Sequence, residues 1–253
     1  MADLKGVIFD IDGVLEFQGE VYPKAVEVVK TLMDKDICVR VITNSTLKSR
    51  VEAAAKLQTR GFPIEEEHVV TASYATAQYL KTLNPESCWV LQKGKGLEEF
   101  AGFHQTDQSS EYIVLGDYRD GFNFENMNKA LANLLHGSKL IVMIPEKVDH
   151  SLGGVELTVG AYGRMLEDAA EIKATYIGKP NKYVFQMVQQ TMQMDRSDIL
   201  MVGDRVTTDI QGAQNAGMQS ALVKTGEFRP KDLDSEITPD YILESVDEVL
   251  QLF

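Results

Sequence analysis

The sequence predicts an α/β fold: a doubly wound parallel sheet as the core, interrupted by an inserted α/β domain. Three observations carry this reading. Short apolar runs alternate with helical patterns near the N-terminal end, the same alternation returns near the C-terminal end, and the stretch between holds strands and a helix of its own. Strand–helix alternation implies parallel strands joined by right-handed crossovers, so the two ends read as halves of one Rossmann-like sheet.

Gly6-Val7-Ile8-Phe9 is the first strand. After Pro23, Val26, Val29 and Met33 recur at spacings of three and four, as one face of a helix does. Ile37 to Ile42 is the second strand, a helix follows over about 47–60 until Gly61 and Pro63 stop it, and His68-Val69-Val70 is a short strand. In the second half, Thr175-Tyr176-Ile177-Gly178 is expected as a third core strand. It leads through Lys179-Pro180 into a helix with Val184, Met187, Val188 and Thr191 on one face. Ile199 to Val202 is a continuous apolar strand ending at Gly203. Thr208 with Gln211 resembles a capping box opening a short helix that Gly217 closes, and Ala221-Leu222-Val223 is expected as the last strand. Between the halves, strands at Cys88–Leu91, Tyr112–Leu115 and Leu140–Met143 and a helix over Asn126–Leu135 are too much regular structure for a loop. The expected division is residues 1–85 and 175–253 as core and 86–174 as the insertion.

With 253 residues the chain can bury one large core or two modest ones. Lys and Arg total 25 against 38 Asp and Glu, a formal charge of −13 that repels polyanions, so nucleic acid and anionic membrane are not expected partners. No apolar run approaches the roughly 18 residues of a membrane span, and the first residues lack a signal-peptide pattern. A cytoplasmic location is the expectation. Cys38 and Cys88 each lie in an apolar run, which predicts buried, reduced thiols.

Open α/β sheets place their ligand crevice at the carboxyl ends of the strands, and four groups of residues fall at expected strand ends. Asp10 and Asp12, two apart in an extended chain, point to one side and can converge on one cation, though Asp and Gly13 are also ordinary turn formers. An EF-hand is excluded by the absence of the further acids its loop requires and by the strand that precedes it. Thr43-Asn44-Ser45-Thr46 offers hydroxyl, amide and backbone donors for phosphate oxygens, or equally a plain helix cap. Lys179 supplies a cation at the sheet edge, or a solvated surface lysine; Gly178-Lys179 lacks the earlier glycine of a Walker loop. Asp204, after Gly203, brings a third carboxylate within reach of one hard cation such as Mg²⁺. Asp209 in the first helical turn suits the helix dipole without any metal, and Arg205 is a local partner for these acids.

Taken together, Asp-x-Asp, Thr-Asn, Lys and Gly-Asp, in that order along the chain, resemble the four motifs of the haloacid dehalogenase (HAD) superfamily of phosphohydrolases. The interval from Asp10 to Thr43 leaves room for one helix, which places the insertion between Thr43 and Lys179, as in the subfamily IIA branch of NagD-like and p-nitrophenylphosphatase-like enzymes. Gly203-Asp204-Arg205-Val206-Thr207-Thr208-Asp209-Ile210 and Asn215-Ala216-Gly217-Met218 are similar to that branch. Departures are Ser45, where a second Asn is frequent, and Leu152-Gly153-Gly154 with Gly160-Ala161-Tyr162-Gly163 in place of a Pro-Gly-x-Gly stretch.

The resemblance implies a C2-type α/β cap that covers the site, and a Mg²⁺-dependent phosphatase acting on small phosphorylated metabolites. It implies Asp10 as nucleophile and Asp12 as general acid and base. It further implies phosphate binding by Thr43, Asn44 and Lys179, a metal held by Asp10, the Asp12 carbonyl and Asp204, and Asp209 one step further out. A homodimer through the cap is implied by the same analogy. The alternatives are phosphotransfer to another hydroxyl, as in a mutase, and a phosphate-binding protein without turnover.

Overall fold

A computed structural model describes residues 4–149 and 154–253, so Leu152 and Gly153 of the altered cap stretch lie outside the described residues. Two compact units result. One comprises the chain up to Thr43 with Ala53–Val70 and Lys179–Phe253; the other comprises Asn44–Glu52 and Thr71–Gly178. The second unit draws on the chain well before residue 86.

In chain order the larger elements are Gly6–Asp10 (β1), Ala25–Asp34 (α1), Cys38–Thr43 (β2), Arg50–Thr59 (α2), Val69–Thr71 (β3), Ala72–Leu83 (α3), Cys88–Leu91 (β4) and Tyr112–Leu115 (β5). They continue with Phe124–Leu135 (α4), Lys139–Val142 (β6), Val159–Ala170 (α5), Thr175–Tyr176 (β7), Lys182–Met192 (α6), Ile199–Gly203 (β8), Gln211–Ala216 (α7), Gln219–Val223 (β9) and Tyr241–Leu243 (β10).

The first unit holds a six-stranded sheet in the order β10-β9-β8-β1-β2-β3. Counting its strands alone in chain order, this is 3-2-1-4-5-6, the doubly wound order, and the direction of winding reverses between β1 and β8. Both of those strands are buried along their whole length, which explains their unbroken apolar runs: a parallel strand covered on both faces has no polar side to show. Val7 and Phe9 join Leu200 and Val202 in one core layer, while Ile8 and Met201, at alternate positions, are buried on the opposite face.

Helix α1 buries Ala25, Val28, Val29 and Leu32, an i, i+3, i+4, i+7 stripe. The expected Val26 and Met33 flank that stripe, partly buried, because apolar residues lie on both sides of it. Helix α6 buries Val184, Phe185, Val188 and Met192; Thr191 instead faces out and accepts from Arg40 Nε at 3.0 Å. The Phe185 ring packs so closely on α7 that a Cβ at Gly212 would lie 2.2 Å from it.

Three expectations need correction. Strand β7 pairs in parallel with β6 of the second unit, not with a core strand, so Lys179 begins the return to the first unit instead of ending one of its strands. Thr208 is no helix cap: Val206–Ile210 forms a π-helical turn, and α7 opens at Ile210 without a side-chain cap, although Gly217 closes it at φ +74° as expected. The sheet also continues past β9 to β10.

The second unit holds a four-stranded parallel sheet in the order β7-β6-β5-β4. Gly160 and Gly163 lie within α5, where they allow close approach: a Cβ on Gly160 would stand 2.3 Å from the Pro145 carbonyl oxygen. Cys88 is buried and Cys38 only half-buried; both are free thiols. No helix among the described residues is long and apolar enough to cross a membrane.

Candidate active site

The winding reversal between β1 and β8 determines what meets at the sheet edge. The pair runs in register from Gly6 opposite Ile199 to Phe9 opposite Val202, so Asp10 and Asp204 leave neighbouring strands at the same level. On the other side Asp10 stands opposite Ile42, and Thr43, 4% exposed, is the next residue of β2.

Lys179, 2% exposed, reaches into this edge. Its Nζ lies 2.8 Å from Asp10 Oδ1 and 2.7 Å from Asp209 Oδ1. Asp10 Oδ1 also accepts from the Ile11 N–H at 2.8 Å. Asp209 is carried by the π-helical turn, which brings its other oxygen back to accept from the Arg205 N–H at 3.1 Å; π turns often mark functional sites. The Arg205 side chain pairs with Glu227 at 3.5 Å, and its backbone N–H ties it to Asp209. Asp10, Asp204 and Asp209, all buried, each offer a carboxylate oxygen within 4.8 Å of the others.

The charges oppose one another. Burial pushes the Asp10 carboxyl up to about 7, with Lys179 pulling against it and the Asp209 and Asp12 charges adding to the rise. Burial, then Asp209 and Asp10, raise Asp204 well above the usual carboxylate range. Burial alone would favour a neutral Lys179 amine, but Asp10 and Asp209 outweigh it and hold the ammonium above the ordinary lysine range. Three acids thus face one buried base, and Asp204 Oδ1 is buried with no hydrogen-bond partner among the described residues.

Two further residues named from sequence have their own surroundings. Asp12 is exposed in the turn after β1. Asn44 belongs to the second unit, where its Nδ2 donates to Glu146 Oε1 at 2.7 Å. Gly178, just before Lys179, packs against Asn44 so tightly that a Cβ there would stand 2.7 Å from Asn44 Oδ1.

Sequence reasoning missed the loop Thr225-Gly226-Glu227. The Glu227 N–H donates to Asp204 Oδ2 at 2.7 Å, and Thr225 Oγ1 donates to the Gly13 carbonyl at 2.5 Å. A Cβ on either Gly13 (φ +91°) or Gly226 (φ +62°) would collide with Asp204 Oδ2, at 2.0 and 2.2 Å, so two glycines wall in this carboxylate. The glycine of Asp10-Ile11-Asp12-Gly13 hinted at such an approach; nothing local to residues 225–227 did.

This arrangement, acids and a lysine at the switch point of a doubly wound sheet, defines a hydrolase of the HAD type, and the comparisons agree. A haloacid dehalogenase-like hydrolase model matches residues 7–104, and a HAD-hydrolase-like model matches residues 176–249. The human phospholysine phosphohistidine inorganic pyrophosphate phosphatase is 33% identical over 99% of this chain and 96% of its own. A bovine haloacid dehalogenase-like hydrolase domain-containing protein 2 is 31% identical over 98% and 96%. Among solved structures, a p-nitrophenyl phosphatase from Archaeoglobus fulgidus superposes with a TM-score of 0.92 at 27% identity, covering 99% of this chain and all of its own. NagD from E. coli K-12 gives 0.89 at 29% identity, over 97% and 98%. The chain belongs to the haloacid dehalogenase-like hydrolases, with its structural likeness among NagD and the nitrophenylphosphatases.

Proposed function

We propose that the protein hydrolyses small phosphomonoesters through a covalent aspartyl phosphate and that it depends on Mg²⁺. The observation that carries this reading is the buried Lys179 ammonium shared by Asp10 and Asp209, next to an Asp204 oxygen with no hydrogen-bond partner among the described residues. A hard divalent cation fits the donor set, since oxygens alone line it and the acids outnumber the base. Asp10, the Asp12 backbone carbonyl and Asp204 are the residues that would hold it. Bound there, Mg²⁺ supplies positive charge that offsets repulsion between an anionic substrate and an acidic site.

The chain's own residues supply the rest. An Asp10 carboxylate oxygen attacks phosphorus, the ester P–O bond breaks, and the departing oxygen takes the proton carried by Asp12. Water then attacks the acyl phosphate and gives its proton to Asp12, and inorganic phosphate leaves with the Asp10 carboxylate restored. Thr43, Asn44 and Lys179 hold the phosphoryl oxygens. Asp209 fixes the Lys179 ammonium, being itself anchored by the Arg205 N–H.

Phosphate release from p-nitrophenyl phosphate in water, with no added acceptor, tests the reading. Turnover is expected with Mg²⁺, is lost in EDTA and returns when Mg²⁺ is restored. Asp10→Asn is expected to fold and to lower the rate at least about a thousandfold. Turnover that survives EDTA, or a wild-type rate in Asp10→Asn, would overturn the proposal; turnover only with an added alcohol would mark a phosphotransferase. The substrate panel that follows should include inorganic pyrophosphate, which the name of the human relative carries.

A further inference from the structure

Glu16 is an unusual residue for its place. Its side chain is 1% exposed, yet it carries a charge and lies four residues after Asp12. Two cations reach it from distant sequence: Lys56 Nζ of α2 at 2.5 Å from Oε1, and Arg60 Nη1, just beyond that helix, at 2.7 Å from Oε2. Lys56 and Arg60 keep 32% and 21% of their side-chain surface in solvent, while Glu16 keeps almost none.

The backbone of Glu16 closes the turn that carries Asp12. The Gly13 N–H donates to the Glu16 carbonyl at 2.7 Å, and the Glu16 N–H donates to the Ile11 carbonyl at 3.1 Å, a carbonyl that also receives the Leu15 N–H at 2.9 Å. Asp12 and Glu16 form a bridge with each other. Within this closed turn Ile11, Val14 and Leu15 are buried, and Asp12 alone among residues 11–16 is exposed. A buried ion pair seldom holds a turn better than an apolar side chain of similar volume would, because desolvation offsets much of the attraction. Two cations nevertheless converge on the residue that closes the turn.

We propose that Glu16, clamped by Lys56 and Arg60, is a positioning residue that aims the Asp12 carboxyl at the departing oxygen. This rests on the assignment of Asp12 as general acid, and the test separates the two. Phenyl phosphate and p-nitrophenyl phosphate have similar shapes, but phenol is a far more basic leaving group and depends more on protonation as it departs. The readout is kcat/KM, which covers the steps through leaving-group departure and excludes the later hydrolysis in which Asp12 acts as base.

Glu16→Gln is expected to lower kcat/KM for phenyl phosphate about tenfold and for p-nitrophenyl phosphate less than about twofold, because general-acid assistance matters most for the poorer leaving group. Arg60→Gln, which leaves Lys56 on the carboxylate, should shift the ratio in the same direction and carries the test if Glu16→Gln does not fold. Equal losses on both substrates, or no loss, would overturn the proposal, since a merely structural role cannot distinguish the two esters. Asp12→Asn is the control. If it separates the substrates and the Glu16 and Arg60 variants do not, the inference about Glu16 fails alone; if it lowers both alike, the assignment of Asp12 fails and takes this inference with it.

Discussion

Both units are built on parallel sheets, and both bury polar side chains at the carboxyl ends of their strands, but the two sets differ in kind. At the six-stranded sheet they include four ionisable side chains, Asp10, Asp204, Asp209 and Lys179, beside the hydroxyl of Thr43. At the four-stranded sheet they are neutral. Gln92, the residue after β4, donates to the Thr46 carbonyl and, at 2.8 Å, to Ser73 Oγ, while Thr46 Oγ1 accepts from the Asp117 N–H at 3.0 Å. Sheet topology therefore does not make an edge reactive; the residues placed on it do. A neutral network can lose a donor and keep most of its bonds, whereas a charged one that loses a member leaves an uncompensated buried ion.

The same replacement at each edge puts this contrast to the test, and the larger effect belongs to the core. Lys179→Met removes the cation between Asp10 and Asp209 and leaves three acids facing each other. The expected cost is about 3–5 kcal/mol in chemical denaturation, the range for breaking a buried pair from one side. Phosphate release should vanish with it. A loss below about 1 kcal/mol, the level of a surface pair, would mean that the cluster is wetter than its burial implies.

Removing one acid should act in the opposite direction. The Asp10 carboxyl, raised to about 7 chiefly by burial, holds a proton in the folded chain that the unfolded chain has released. Between about pH 4 and 7 the folded state thus binds more protons, and this group's contribution to stability falls as pH rises, levelling off above about 7. In EDTA, Asp10→Asn should therefore melt higher than wild type at pH 8, with the gap closing toward pH 5. Saturating Mg²⁺ should narrow that gap at pH 8 by stabilising wild type, about 2.7 kcal/mol at a hundred times its Kd. A gap that widens toward pH 5 would refute the raised carboxyl.

How much of this was legible in the sequence follows the range of the forces involved. The unbroken runs Val7–Phe9, followed by Asp10, and Ile199–Val202, followed by Gly203 and Asp204, announced buried parallel strands and the edge on which the two acids meet. Thr175-Tyr176 announced a strand but not its sheet, because two residues carry no pattern that chooses between neighbours. Thr208 and Gln211 have the spacing of a capping box, yet the π-helical turn that delivers Asp209 to Lys179 prevailed over the local cap. The clamp on Glu16 and the loop that walls in Asp204 join residues about 40 and more than 200 positions apart, as Lys56 to Glu16 and Thr225 to Gly13 show, and no local spacing encodes such meetings.

The smallest effect is expected at the four-stranded sheet. Gln92→Met preserves length and flexibility and removes one amide. The Thr46 carbonyl keeps its second donor, because Ser73 Oγ also reaches it at 2.6 Å. The amide oxygen that disappears, Gln92 Oε1, is buried without a hydrogen-bond partner among the described residues, so its removal ends a cost instead of creating one. The two changes nearly offset, and the expected loss is about 1 kcal/mol or less in the denaturation experiment used for Lys179→Met. A loss equal to that of Lys179→Met would show that the neutral network is as intolerant as the charged one, and would break the distinction between the two edges.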